Sequence, residues 1–150
     1  MTGPGTVEIE SVDVLDDALL AAMKRLLPQL SSSATFDERT IAWVVSHEAC
    51  TLLTASVDSV VVGALTLVTY PLPTVLRAHI DDVVVEDVVR GRGVGEALVR
   101  AALDRAVAVG ARTVDLTSRP SRESAIRLYE RCGFVRRDST LFRWTPPPSG

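Results

Sequence analysis

Arg90 to Val99 reads RGRGVGEALV: three glycines on alternate positions, an arginine on either side of the first, then a run of helix formers. A sharp strand-to-helix turn needs one glycine. Three alternating ones clear the β-carbons from a whole stretch, so successive N–H groups can converge on one oxygen anion at the positive end of a helix. Flanking arginines add charge-assisted hydrogen bonds. Three phosphate-binding patterns compete for the stretch. A P-loop requires Lys and then Ser or Thr after its last glycine, where this chain has Glu96 and Ala97. A dinucleotide fingerprint counted from Gly91 requires a glycine where Glu96 stands, and it follows the first strand of a βαβ unit, whereas hairpins precede this stretch. What remains is an arginine, two residues, then Gly93-Val94-Gly95, an anion cradle opening a helix.

The flanking segments place that cradle in an α/β chain. LRAHIDDVVVED, before it, reads as a strand whose run Val83-Val84-Val85 implies burial on both faces. If the strand is regular, His79, Asp81, Val83 and Val85 share one face and Asp82 points the other way. After the cradle, a helix runs to about Val109, with Glu96, Arg100 and Asp104 as its polar stripe and Gly110 as its stop. RTVDLTS is a short strand. PSRESAIRLYERC is a helix with Ser121 as its N-cap, ended by Gly133. FVRR and TLFRW read as closing strands around an Asp138-Ser139 turn.

Upstream, TVEIESV alternates like a half-buried strand. DVLDDALLAAMKRLLPQL is a helix with Asp13 or Asp16 near its start and Pro28 near its end. SSSATFDERTIAWVVSH is a loop and a second helix. TLLTASVDSVVVGALTLVTY is a hairpin turning at Asp58-Ser59, broken off by PLPT. Hairpins plus one strand-helix-strand crossover imply a mixed sheet with helices on its faces.

With 47% hydrophobic and 23% charged residues, the 150-residue chain has the make-up of one soluble domain able to bury a core. No apolar run approaches a membrane span, and MTGPGTVEIE lacks the form of a secretory signal, so a cytoplasmic protein is expected. Cys50 and Cys132 make no disulfide framework and read as buried thiols. With only His47 and His79, no metal site is expected. Charge is unevenly spread. Residues 1–89 hold 4 basic and 13 acidic side chains, and residues 90–150 hold 12 and 6. Such a division suits a site taking an anion from one side and a cation from the other, or arginines that simply decorate surface helices.

VVVEDVVRGRGVGEALV resembles the acetyl-CoA pyrophosphate loop of the GNAT superfamily of N-acetyltransferases, whose pattern is R/Q-x-x-G-x-G/A after a strand. About thirty residues on, AIRLYERCGF, Ala125 to Phe134, resembles that family's A-x-x-L-Y-x-x-x-G-F helix and strand. The resemblance spans about Ile80 to Trp144. It implies an α/β fold with a GNAT-like mixed, mostly antiparallel central sheet, about four flanking helices and a splay between the fourth and fifth strands. Residues 1–145 would form the single domain and 146–150 a flexible Pro-rich tail.

The resemblance also implies an activity: transfer of the acetyl group of acetyl-CoA to a primary amine by direct attack, with no metal. A catalytically silent CoA-binding module of the same fold is the alternative. Arg90, Gly91, Arg92, Gly93, Val94, Gly95 and Glu96 would hold the pyrophosphate, Arg92 to Glu96 through backbone amides. Val83 and Val85 would pair with pantetheine, and the Val84 N–H is a candidate oxyanion donor. Thr113 to Thr117 would be the second strand of the splay. Tyr129 matches the tyrosine that protonates the departing thiolate, although helical spacing alone makes it a core residue. Many members carry an asparagine where this chain has Arg122, which with Ser118 and Ser124 is a candidate cofactor contact. For the amine's proton the candidates are His79, Asp81 or water. The LPQLSSSATF segment and the YPLPT turn should contact the acceptor, a small-molecule or peptide amine. No nucleic-acid or membrane partner is expected, and the protein should be a monomer or homodimer.

Overall fold

The computed structural model describes residues 5–149; residues 1–4 of the N-terminal stretch and residue 150 of the expected tail lie outside it. Five strands form one sheet in the order β1 (Val7–Ser11), β2 (Cys50–Val57), β3 (Val60–Pro71), β4 (Leu76–Val85) and β5 (Thr113–Asp115). All neighbours are antiparallel except β4 and β5, which run parallel. Helices α1 (Asp17–Leu30) and α2 (Glu38–Ser46) cover one face, and α3 (Val94–Ala108) and α4 (Glu123–Arg131) the other. This is the mixed α/β arrangement expected from the sequence.

Local chemistry sets most boundaries. Asp16 caps α1 by accepting a 2.8 Å hydrogen bond from the Leu19 N–H. Pro28 lies inside the last turn of α1, where the missing donor removes only one bond before the helix ends at Leu30. Asp58 and Ser59 both take left-handed backbone (φ 51° and 66°), the geometry of a two-residue hairpin turn that matches strand twist. The fourth helix starts one residue later than Ser121 would set it. Arg122 is its N-cap, with no side-chain cap bond, because the Arg122 N–H turns back to the Arg119 C=O and Ile126 then bonds Arg122.

The expected closing strands are absent: among the described residues, none after Arg131 lies in a helix or strand. Alternating apolar residues specify a strand only where a sheet edge receives them. The neighbouring edge strand, β5, is three residues long, and Val135, Leu141, Phe142 and Trp144 remain 67–88% exposed.

Two packed clusters hold the sheet. Leu98, Val99, Ala102 and Ala106 of α3 pack on Leu65, Leu67 and Ala78, while Leu19, Met23 and Leu26 of α1 pack on Leu52, Ala64 and Val84. Gly63 lets α3 sit close, since a Cβ there would meet Leu98 and Val94 at 3.1 Å. Leu98 is fully buried. Leu98→Ala should therefore cost about 2–5 kcal/mol in urea unfolding, whereas Val107→Ala, on the 77% exposed side of the same helix, should shift stability by no more than about 0.5 kcal/mol.

Candidate functional site

The site is built around one irregularity in β4. Ala64 pairs with Val84 but Thr66 pairs with Asp81, so β4 holds one more residue than β3 across that interval. The extra residue is absorbed at Asp82, whose φ of 51° is left-handed, a region that a short polar side chain tolerates better than a branched one. The bulge shifts the alternation of side chains by one. Before it, Ala78 and Ile80 point to the α3 core; after it, Val84 points to the α1/α2 core, and Val83 and Val85 pack on the α3 side. The expectation that His79, Asp81, Val83 and Val85 share a face is thus corrected. Asp81 and Asp82 instead line the same cavity.

Downstream of His79, β4 also loses its neighbour. β5 pairs only with Arg77, Ala78 and His79, leaving Ile80–Val85 with a free backbone edge. The Glu86 N–H donates to the Val62 C=O at 2.8 Å. By alternation the Val84 N–H is turned to β3 as well, which leaves the N–H groups of Val83 and Val85 toward the open edge.

The glycine stretch leads from that strand through a single 3₁₀ turn (Asp87–Val89) into α3. Gly91 and Gly93 have φ of 84° and 81°, left-handed positions that glycine takes without strain. Gly93 is the N-cap of α3 and offers no capping side chain, so the first-turn N–H groups have no side-chain acceptor. Gly95 serves a different purpose: a Cβ there would lie 3.1 Å from Leu128 of α4 and 3.6 Å from Val85. Arg90 is held by Asp87 at 2.8 Å. Glu96 would bring negative charge to the cradle, but Arg131 at 3.1 Å and Arg100 at 3.4 Å neutralise it. Those two hydrogen-bonded guanidiniums, Arg131 first, hold its carboxyl below the usual carboxylate range.

Two cavities flank the free edge of β4. One, of about 400 Å³, is lined by Val83 to Val85, Arg90, Gly91, Gly93 to Glu96, and Ser124. The other, of about 1000 Å³, is lined by Asp81, Asp82, Ser118 and the Ser31–Thr35 segment. They share five residues, Leu30, Val83, Val84, Arg122 and Tyr129. Arg92 and His79 line neither, though His79 Nε2 stands 3.7 Å from Asp81 Oδ2. No residue of the YPLPT turn reaches either cavity.

Tyr129 is both a packing and a site residue. It stacks edge-on against Phe134 at 6.0 Å within the α3-side core, yet opens onto both cavities. Burial pushes its phenol above the ordinary value, against a smaller downward pull from Arg122. Cys132 is half-buried and its thiol is pushed up by burial, the opposite of an activated nucleophile. Sequence reasoning passed over Asp82, Arg119, Leu141 and Arg143, all of which line the larger cavity. Only Asp82 left a trace in the sequence, since the apolar alternation of β4 breaks immediately after it.

A family model described as Acetyltransferase (GNAT) family matches residues 17–134. No curated protein matches the chain. Among solved structures it is similar to a transcriptional regulator from Bacillus halodurans C-125, at 24% identity and a TM-score of 0.81, over 93% of this chain and 100% of that one. It is similar to glucosamine-6-phosphate N-acetyltransferase from Arabidopsis thaliana at 19% identity and a TM-score of 0.74, over 94% and 99%. An aminoglycoside N-acetyltransferase in complex with CoA matches at 15% identity and a TM-score of 0.81, over 97% and 98%. At these identities the likeness carries the fold.

Burial first, and the Asp81 charge second, push the Asp82 carboxyl above the usual range. The folded chain therefore holds this proton more tightly than the unfolded chain, and the group's contribution to stability is lost as pH rises through its folded pKa. Asp82→Asn, which keeps a side chain tolerant of left-handed backbone, should melt higher than the native chain at pH 7. The difference should shrink as the pH is lowered toward about 4.

Proposed function

The chain belongs to the GNAT acetyltransferase family, and from that premise we propose that it transfers the acetyl group of acetyl-CoA to a primary amine of a small molecule or peptide by direct attack. The observation that carries this reading is the junction of the two cavities at Leu30, Val83, Val84, Arg122 and Tyr129. A cofactor entering along the glycine cradle and an acceptor entering from the α1/α2 side would meet there, beside the half-buried phenol of Tyr129. The residues present fit the cofactor. The uncapped first turn of α3 and the left-handed glycines suit a pyrophosphate, and the free edge of β4 suits an extended amide chain.

Acetyl-CoA supplies an activated acyl carbon and a thiolate leaving group. In the proposed reaction the amine nitrogen bonds to that carbon and the carbon–sulfur bond breaks. The proton of the incoming ammonium passes, directly or through water, to the Asp81–Asp82 pair, which lines the acceptor cavity. His79, placed behind Asp81, orients that carboxylate and need not touch the acceptor. The backbone N–H groups of Val83 or Val85 stabilise the developing oxyanion. Tyr129 donates its proton to the sulfur, and the second proton that the nitrogen loses as the amide forms restores the phenol, directly or through water. The phenol, held above its ordinary value by burial, stays protonated at neutral pH and so has a proton to give. Arg122, lining both cavities, holds the cofactor near its acyl end, and Ser118 and Ser124 line the two sides of that junction.

Acetyl-CoA at about 100 times its Kd should stabilise the chain by about 2.7 kcal/mol, raising Tm by about 5–10 °C, while NAD should leave it unchanged. Gly93→Val should lose that shift, since a branched side chain is strained at φ 81° and crowds the cradle. A shift with NAD as large as with acetyl-CoA would count against the cradle. Tyr129→Phe should lower kcat by about 10²-fold or more with acetyl-CoA affinity retained; an unchanged kcat would remove the acid role. Binding of acetyl-CoA with no thiol released by any amine would mark a silent binding module instead.

A further inference from the structure

The larger cavity carries charges of both signs, and they come from different walls. Asp37 also lines it as the cap of α2, accepting from the Arg39 N–H at 3.0 Å and the Thr40 hydroxyl at 3.1 Å. Asp81 and Asp82 on β4 adjoin Val83 and Val84, where the two cavities meet, and form the acidic pole at that junction. Arg119, in the segment that follows β5, and Arg143, in the C-terminal segment, line the same cavity and do not line the cofactor one. Among the described residues, neither has a carboxylate within ion-pair distance, and the same is true of Arg122 in that cavity. Two arginines without partners in a cavity that also presents two acids are poorly explained by a purely cationic acceptor. A polyamine would meet attraction on one wall and repulsion on the other. The uneven spread of charge along the chain, acidic before residue 90 and basic after it, is brought face to face in this one space.

We propose that the acceptor carries an anionic group beside its amine, so that Arg119 and Arg143 receive a carboxylate or phosphate while Asp81 and Asp82 face the ammonium end. This rests on the acetyltransferase reading of the site. The guanidinium fork suits either anion, because both present paired oxygens for two parallel hydrogen bonds. The arrangement also orients the acceptor: with its anion held at Arg119 and Arg143, the amine is directed toward β4 and the junction beside Tyr129. The poles then act on orientation as well as affinity, which is how binding energy remote from the reacting atoms assists a transfer.

The test uses the full chain, saturating acetyl-CoA, thiol release as readout, and acceptors in matched pairs. Glucosamine 6-phosphate is compared with glucosamine, β-alanine with its amide, and spermidine serves as the polycation. The anionic member of at least one pair should exceed its neutral partner in kcat/KM by about tenfold or more. Which pair responds tells phosphate from carboxylate. In R119Q/R143Q that ratio should collapse toward one. Spermidine or the neutral amines as the best acceptors would overturn the proposal. So would a variant that lowers all acceptors alike, or one that raises KM for acetyl-CoA, since the arginines would then serve the cofactor.

The same pairs read by melting shift with CoA present test the poles without turnover. A shift by an anionic member that is absent in R119Q/R143Q supports the proposal. If CoA shifts the melt and no anionic member adds to it, the acceptor assignment falls and the acetyltransferase reading stands. If neither acetyl-CoA nor CoA shifts it, both fall together.

Discussion

A β-strand with strict alternation can offer one set of side chains to each face and no more. β4 escapes that limit by holding one residue more than its partner β3, taken up at Asp82 in left-handed backbone. Upstream of that point, Asp81 lies opposite Thr66, and both line the larger cavity; downstream, Val83 and Val85 have turned to the α3 side. The same strand parts from β5 after His79, so its backbone edge is free over the very residues where its facing has changed. The charged wall of one cavity follows from this offset, and the free amides of the other from the parting of β4 and β5. Its costs are local: a non-glycine residue at φ 51° and a carboxyl crowded by burial and by its neighbour.

The entrance to α3 shows a similar exchange of stability for access. Most helices in this chain that begin near a short acidic residue use it as a cap, as Asp16 and Asp37 do. α3 begins at a glycine with no side chain to spare, forgoing only about 0.3 kcal/mol relative to a Ser, Asp or Asn cap. The charge nearest its first turn, Glu96, is matched by two arginines and so does not cancel the positive end of the helix. Packing makes good the difference elsewhere: Val94, Leu98, Val99 and Ala102 are almost wholly buried, and Gly63 and Gly95 allow close approach to the strands and to α4.

How much of this could be seen in the sequence depended on whether the responsible force was local. The left-handed glycines, the Asp58-Ser59 turn and the extent of α3 are set by backbone sterics within a few residues, and they were legible. The hairpin of β2 and β3 and the strand-helix-strand crossover through α3 were legible too, because a tight turn and a glycine-led helix leave few arrangements. The offset at Asp82 was not, since pairing with β3 imposes it and an alternating pattern does not encode its partner's register. Arg119 and Arg143 lie on irregular segments without periodicity, so nothing in their spacing could announce that they meet in one cavity. The closing strands failed for the opposite reason. The pattern at Phe134–Trp144 is local and clear, but a strand also requires a neighbour, and the short β5 does not take it up. Tyr129 sat between these cases: helical spacing marked it for the core, and it is indeed packed against Phe134, yet the divergence of β4 and β5 leaves it open on two sides.

The offset in β4 has an evolutionary consequence. Because Asp81 lines only the larger chamber and Val85 only the smaller one, with Val83 and Val84 shared between them, substitutions at one end of this stretch need not disturb the other. Descendants of such a chain can exchange the side chains of the larger chamber while inheriting unchanged the backbone that borders the smaller one. A single strand thereby carries two separately variable ends, joined at the two residues that both chambers share.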